Sequence, residues 1–219
     1  MSTLTEDVKN FLLAEEACAV GIATTETLAG GPESVDLEHV MPGAKSAVSF
    51  AVPMNQELMM AYLSKKERRA YQHEHLHVHA LTAGMSLLLS KYLEQRGYPS
   101  TPLASNNVYR TDASPGGMND LLPDISLRYL AVASGVAQFG LSGNVLTKEH
   151  GAAIILGGMV TSAELEPTDP LPDEENYCDG CRLCIAACPA SMMDPEEETT
   201  VKLGNKEHVY AKRRTYHRC

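Results

Sequence analysis

The sequence predicts an α+β fold in which helices pack against a mixed or antiparallel sheet, with a cysteine-rich segment appended near the C-terminal end. Strand-like and helix-like segments alternate too irregularly for a doubly wound parallel sheet. Of the 219 residues, 44% are hydrophobic, which is ample for one packed core. We therefore expect a core domain over residues 1–165 and a small second module over 166–219.

The first half of the chain begins with Thr3 and Glu6, a capping-box pattern that predicts a short amphipathic helix. Two apolar segments follow that predict strands, Ala17–Thr24 and Ser46–Val52. Residues 56–95 have a helical pattern with a break near Lys65. Its buried face is expected to carry Leu81, Met85, Leu88, Leu89 and Tyr92, which recur at helical spacing.

In the second half, Ser105–Met118 is rich in Asn, Ser, Asp and Gly and predicts a loop of the kind that often lines a site. A helix is expected from Asp124 through Gln138, followed by a glycine turn at 140–144. The apolar segment Gly151–Thr161 predicts a central strand. Residues 164–176 hold six acidic residues and three prolines, which predicts an extended linker.

The most specific motif is a run of four cysteines spaced C-x2-C-x2-C-x3-C and followed at once by Pro189: Cys178, Cys181, Cys184 and Cys188. This is the bacterial ferredoxin pattern, which binds a [4Fe–4S] cluster. A zinc site would more often use two separated C-x2-C pairs, and disulfides between cysteines this close would be strained. The run therefore predicts an iron–sulfur site and a reducing compartment.

The fourth ligand of this cluster stays open at the level of sequence. In two-cluster ferredoxins the cysteine before the proline binds the other cluster, and here that cysteine is Cys188. The remaining cysteines are Cys18 and Cys219, and a chain that stops on Cys219 has the look of a fragment whose second motif is missing. Either Cys188 completes one cluster, or Cys219 takes part and a second cluster exists.

The formal net charge of −10 argues against a broad nucleic-acid surface. Basic residues gather in residues 202–218, where the simplest interpretation is a solvated tail. No stretch approaches the length of a membrane span, and the N-terminus has neither a signal-peptide pattern nor twin arginines. These features predict a cytoplasmic protein without a membrane partner.

Three stretches of the chain resemble the cobalamin-dependent iron–sulfur reductases, which include epoxyqueuosine reductase and, more distantly, reductive dehalogenases. Residues 41–50, MPGAKSAVSF, resemble the family's L-P-G-A-(K/R)-S-V-I segment, and Asp124–Arg128 loosely resembles the segment carrying its proposed catalytic aspartate. Residues 135–170 follow a long family pattern without gaps, through Gly135, Gly140, Gly151, Leu156, Thr161, Leu165 and Pro170. The cysteine run comes at the expected place.

This resemblance implies a nitroreductase-like α+β domain that binds cobalamin, with the cluster supplying electrons to cobalt. Small residues of the 140–144 turn would let the backbone approach the flat macrocycle, with Ser142 and Asn144 bonding its amide groups beside Gly140 and Gly143. The alternative for this turn is an ordinary helix C-cap.

The resemblance also implies proton donors. Asp124 is a candidate because a carboxyl buried against a corrin would have a raised pKa, and the alternative for it is a helix N-cap. Tyr109, beside Arg110 in the polar loop, is a second candidate, with a surface tyrosine as its alternative. Four alternating histidines, at 73, 75, 77 and 79, form two i, i+4 pairs on a helix that could chelate a metal or could be merely structural.

Several family features are missing, including the second cysteine motif, the helical-repeat region used with tRNA and a lysine at Leu141. The expected function is therefore an iron–sulfur oxidoreductase that passes electrons to a corrinoid for reduction of a small-molecule or modified-nucleoside substrate. A low-potential ferredoxin or flavodoxin would be the electron donor. A non-enzymatic electron-transfer or corrinoid-handling protein, and a flavin-binding iron–sulfur protein, are the alternatives.

Overall fold

The computed structural model describes residues 3–105 and 123–214. The helices are α1 (Leu4–Ala14), α2 (Leu37–Val40), α3 (Gln56–Leu63), α4 (Arg69–Glu94), α5 (Leu127–Ala133) and α6 (Leu183–Ala186). The strands are β1 (Ala19–Thr24), β2 (Ser46–Pro53), β3 (Ser100–Leu103), β4 (Gln138–Phe139), β5 (Val145–Leu146), β6 (Ile154–Thr161), β7 (Met193–Leu203) and β8 (Lys206–Arg213). Short 3-10 turns lie at Glu33–Val35 and Asp173–Glu175.

The main sheet has four strands in the order β1-β2-β6-β3, and every neighbouring pair is antiparallel. The central position predicted for the strand that ends at Thr161 is confirmed, because β6 lies between β2 and β3. Two further antiparallel pairs, β4–β5 and β7–β8, form small hairpins outside this sheet. The mixed helix and strand content predicted from the sequence is confirmed.

The two faces of the sheet carry different side chains because neighbouring residues of a strand point to opposite sides. On one face, large residues such as Ile22, Phe50 and Met159 pack against α1 and α4. On the other face, small residues such as Ala47 and Ala51 leave room for α5 and the two hairpins. The sheet is therefore buried on both sides.

The long helical region is broken as the sequence predicts, with Lys65 in a left-handed conformation between α3 and α4. The prediction of its buried face is correct for Met85 and Leu89 but wrong for Leu88, which is 57% exposed. The helix predicted from Asp124 to Gln138 is wrong in length, because α5 ends before Gly135, which has φ +71°. Glycine in this conformation terminates helices.

The basic segment near the C-terminus is a hairpin as far as Arg213 rather than a solvated tail. Val201, Leu203 and Tyr210 are buried in the same cluster as α5 and the small residues of the sheet. The hairpin turn approaches the loop after β1 closely, since a Cβ on Gly204 would lie 2.5 Å from the carbonyl oxygen of Thr27. The hairpin thus shares the core of the first domain.

Among residues 3–105 and 123–214, none of the helices has both the length and the apolarity needed to cross a membrane.

Candidate iron–sulfur and cofactor site

The four cysteines lie in a short, largely exposed segment that connects the extended linker to β7. Cys178 and Cys188 are half-buried, Cys181 and Cys184 are exposed, and Cys184 lies on α6. None of the four forms a disulfide. All four thiols are therefore available as ligands.

The two residues that flank Cys181 have left-handed backbone conformations. Gly180 and Arg182 both have positive φ, +73° and +64°. The carboxylate of Asp179 accepts a hydrogen bond from the N–H of Cys181 at 3.0 Å, and this bond lowers the pKa of Asp179. The side chain of Asn176 accepts in the same way from the N–H of Cys178 at 2.9 Å.

Two of the sulfurs accept hydrogen bonds from backbone N–H groups. Leu141 N–H donates to Cys178 Sγ at 3.3 Å, and Met192 N–H donates to Cys188 Sγ at 3.4 Å. Such bonds are among the features that set the potential of a cluster. By chemistry the donor set fits a [4Fe–4S] cluster. The side chains are not gathered, however: across the described ranges, no group of three or more His, Cys, Asp or Glu residues could hold a metal ion.

The glycine turn predicted to contact a cofactor is the tip of the β4–β5 hairpin, not a helix C-cap. The N–H of Gly140 donates to the carbonyl of Asn144 at 2.8 Å, and the N–H of Gly143 donates back to the carbonyl of Gly140 at 2.9 Å. Ser142 Oγ accepts from the N–H of Asn144 at 3.3 Å. Because the turn carries Leu141, it lies directly against Cys178.

The turn is also covered by β8 and held by arginines. A Cβ on Gly143, which has φ +71°, would lie 2.6 Å from the ring of Tyr210. Arg213 donates to the carbonyl of Ser142 at 3.1 Å and to Asn144 Oδ1 at 2.5 Å. Arg128, on α5, donates to the carbonyl of Gly143. A cofactor bound to this turn would therefore approach from a side that β8 does not cover.

Asp124 does not cap α5, because Ser126 does so by accepting from the N–H of Tyr129 at 3.4 Å. Instead, Asp124 Oδ1 lies 3.5 Å from Nε2 of His39, which precedes β2. Both side chains are 29% exposed. The contact places an imidazole beside the carboxyl, so His39 joins Asp124 as a candidate acid–base group.

The other sequence candidates are Tyr109 and the four alternating histidines of the long helical region. Tyr109 lies outside the described residues. His75 and His79 are in ring contact on α4, with centroids 4.5 Å apart, and His79 Nδ1 lies 3.1 Å from Ser105 Oγ. Burial and the neighbouring His75 lower the pKa of His79. His73 and His77 are exposed.

A cavity of about 150 Å³ lies between the linker, β4 and β8. Its wall includes Asn176, Phe139 and His208, and Asn176 also holds the N–H of Cys178. The cavity therefore adjoins the start of the cysteine segment.

Neither the arginines that bind the turn nor His39 could be recognised from the sequence as parts of a site. Arg128 lies within the stretch that resembles the family, but its partner Gly143 is fifteen residues away along the chain. β2, α3, α4 and β3 lie between His39 and Asp124 in the sequence, and no spacing pattern connects the two residues. Only the cysteine run and the turn had a local signal.

Comparisons with curated proteins identify epoxyqueuosine reductases as relatives, while no protein-family model matches the chain. The enzyme from Gloeobacter violaceus is 26% identical over 167 residues, which cover 75% of this chain and 46% of that protein. The enzyme from Bacillus cereus is 27% identical over 177 residues, 74% of this chain and 41% of that protein. The chain thus spans about half the length of the curated relatives it matches.

Solved structures support the same relationship at the level of fold. An epoxyqueuosine reductase bound to an epoxyqueuosine-modified tRNA stem loop superposes with a TM-score of 0.59 at 17% identity, over 86% of this chain and 52% of that one. A variant of a catabolic reductive dehalogenase reaches a TM-score of 0.67 at 14% identity, over 94% of this chain and 27% of that one. The resemblance inferred from the sequence is confirmed by these relatives.

Proposed function

We propose that this chain, a relative of epoxyqueuosine reductases, is an oxidoreductase in which electrons pass from a [4Fe–4S] cluster to a bound corrinoid for reduction of an organic substrate. The observation that carries the proposal is the hydrogen bond from Leu141 N–H to Cys178 Sγ. It joins the cysteine run to the glycine turn that the family resemblance assigns to the cofactor. The core would then be a nitroreductase-like domain and the cysteine segment a ferredoxin-type module.

Within this proposal, Cys178, Cys181, Cys184 and Cys188 hold the cluster. The N–H groups of Leu141 and Met192 stabilise negative charge on the sulfurs that they contact. When bound, the cluster and the corrinoid supply the redox chemistry, which protein side chains cannot perform. The β4–β5 turn contributes backbone and small side chains to the corrinoid pocket.

Proton delivery is assigned to Asp124. Its contact with His39 gives it a partner from which a proton can be taken up again, and both side chains retain some contact with solvent. Tyr109 remains the second proposed donor.

For the substrate, we propose a small organic molecule or a modified nucleoside. One of the structural relatives is bound to an epoxyqueuosine-modified tRNA stem loop, which supports the nucleoside. The net charge of −10 weighs against binding of a long nucleic acid. A low-potential ferredoxin or flavodoxin is proposed as the electron donor.

The test is anaerobic reconstitution with iron, sulfide and cobalamin, followed by metal analysis and a UV–visible spectrum. Cys181→Ser should lose most of the iron and the brown colour. Cys18→Ser is the matched control, because Cys18 is a free thiol that donates to the carbonyl of Ala51 at 3.4 Å, away from the motif. It should keep both.

About four irons and one retained cobalt per chain would support the proposal, since one cubane contains four irons. About eight irons would mean that Cys219 and other ligands complete a second cluster. Four irons without cobalt would favour an electron carrier or a flavin protein. Full iron content in Cys181→Ser would refute the cluster assignment itself.

A further inference from the structure

The outward face of α4 carries apolar side chains that no helix or strand of residues 3–105 and 123–214 buries. The inward face, which includes Val78 and Met85, is buried against the sheet. Leu76 and Leu87 project about 160–180° away from those residues, because an α-helix turns about 100° per residue. They are 70% and 48% exposed. The packing of the described residues does not account for these two exposed leucines.

The residues along the centre of this face form what we call the α4 stripe: Arg69, Leu76, Ala80, Ala83, Leu87 and Glu94. All six are exposed. The positions of these six residues are symmetric about a midpoint between Leu81 and Thr82, so each residue has a counterpart at the same distance on the other side. Leu76 is the counterpart of Leu87, Ala80 of Ala83, and Arg69 of Glu94.

We propose that the α4 stripe is a homodimer interface, in which α4 packs antiparallel against α4 of a second copy of this chain. A two-fold axis at the midpoint makes the same surface serve both subunits, as an isologous interface requires. It places Leu76 opposite the partner's Leu87 and Ala80 opposite the partner's Ala83. The small central residues allow the two backbones to approach, while the leucines fill the space on either side.

The charges at the two ends favour this orientation. In the antiparallel arrangement each Arg69 faces a glutamate of the other copy, so the dimer gains two opposite-charge pairs. A parallel arrangement would bring arginine to arginine and glutamate to glutamate, which costs free energy. Glu94 already accepts from Lys91 at 2.6 Å within its own helix, and a carboxylate has acceptor sites for both partners.

The stripe is a single helix face, so its interface falls in the small class below about 1,200 Å². The expected dimer is therefore reversible, and its population rises with protein concentration. The inference does not depend on the proposed redox function, because neither the cysteines nor the β4–β5 turn contributes to α4.

The test is sedimentation velocity of the full chain over a concentration series up to roughly 1 mM, the limit of weak specific binding. Leu76→Glu should abolish the concentration-dependent dimer. Leu63→Glu is the matched control, since Leu63 is 63% exposed but lies on α3, off the stripe, and this variant should dimerise like the parent. Circular dichroism would verify that both variants are folded.

A charge exchange tests the antiparallel register itself. Arg69→Glu and Glu94→Arg should each weaken dimerisation, and the double variant should restore it because opposite charges meet again. The proposal is overturned if the chain stays monomeric throughout the series. It is equally overturned if Leu63→Glu abolishes dimerisation while Leu76→Glu does not. The same holds if the double charge variant dimerises more weakly than either single charge variant.

Discussion

His208, on β8, is a partly buried histidine. Its Nε2 atom is buried and has no hydrogen-bond partner among the described residues, and its ring contacts Phe139 edge-on at 5.6 Å. Burial, and then the nearby charge of Lys206, lower its pKa, while Asp173 acts weakly in the opposite direction. The folded chain therefore favours the neutral imidazole.

This environment predicts a pH-dependent loss of stability. Above about pH 6.5, the pKa of an unperturbed histidine, the ring is neutral in both states and contributes nothing. As the pH falls below that value, the unfolded chain binds a proton that the folded chain resists, so the free energy of unfolding decreases. Urea titrations at several pH values should show that His208→Gln flattens this decrease. His77→Gln, at an exposed position, should follow the parent curve.

Among single residues, the sequence predicts those whose chemistry is encoded locally. The four cysteines and the turn from Gly140 to Asn144 are consecutive motifs, so their spacing is visible without a structure. Two other contacts depend on how distant segments meet: His39 lies beside Asp124, and Arg128 donates a hydrogen bond to the carbonyl of Gly143. No local pattern contains that information.

The packing of α5 on β1 depends on one position without a side chain. A Cβ on Gly21 would lie 2.0 Å from the carbonyl oxygen of Ser134, the C-cap of α5. Gly21→Ala must therefore push α5 away from the sheet. We expect a loss of about 1–3 kcal/mol or more in the free energy of unfolding, as for other overpacked cores.

The same displacement would reach the candidate site, because Arg128 on α5 binds the β4–β5 turn. Denaturant unfolding measures the stability, and Gly84→Ala is the control. Gly84 lies within α4, and a Cβ there would meet no atom within 4 Å. That variant should gain about 0.5–1 kcal/mol from helix propensity. Equal stabilities for Gly21→Ala and the parent would contradict the packing described.

Elements were predictable where apolar periodicity is strong, as in α4, β2 and β6. The β7–β8 hairpin is not predicted from the sequence, because β7 begins with an acidic, proline-containing run that has low strand propensity. A signal was nevertheless present: Val201 and Leu203 alternate with polar residues, and Gly204 then opens a short hairpin turn. The length of α5 was overestimated because apolar residues continue past Gly135 into β4.

At the scale of the whole molecule, both ends of the cysteine segment are attached to the body that contains the main sheet. Before the segment, the N–H of Thr168 donates to the carbonyl of Ile22 at 2.9 Å, and Gln138 donates to the carbonyl of Pro172 at 2.7 Å. After it, Val201, Leu203 and Tyr210 join the cluster that contains α5. The cysteines are thus anchored on both sides by the same folded body.

The core cluster that the hairpin shares with β2 makes a specific prediction for a mutation in the hairpin. Leu203 is 4% exposed, so Leu203→Ala should remove about 2–5 kcal/mol, the usual range for a leucine truncated in a core. Because the hairpin and the sheet share that core, native-state hydrogen exchange should show the same loss for the amides of β2 as for those of β8. Val209→Ala, at a site 52% exposed on the same hairpin, should change neither exchange rate.

If only the hairpin amides exchanged faster in Leu203→Ala, the hairpin would be an independently opening unit. Residues 166–219 would then behave as the separate module that the sequence alone predicts.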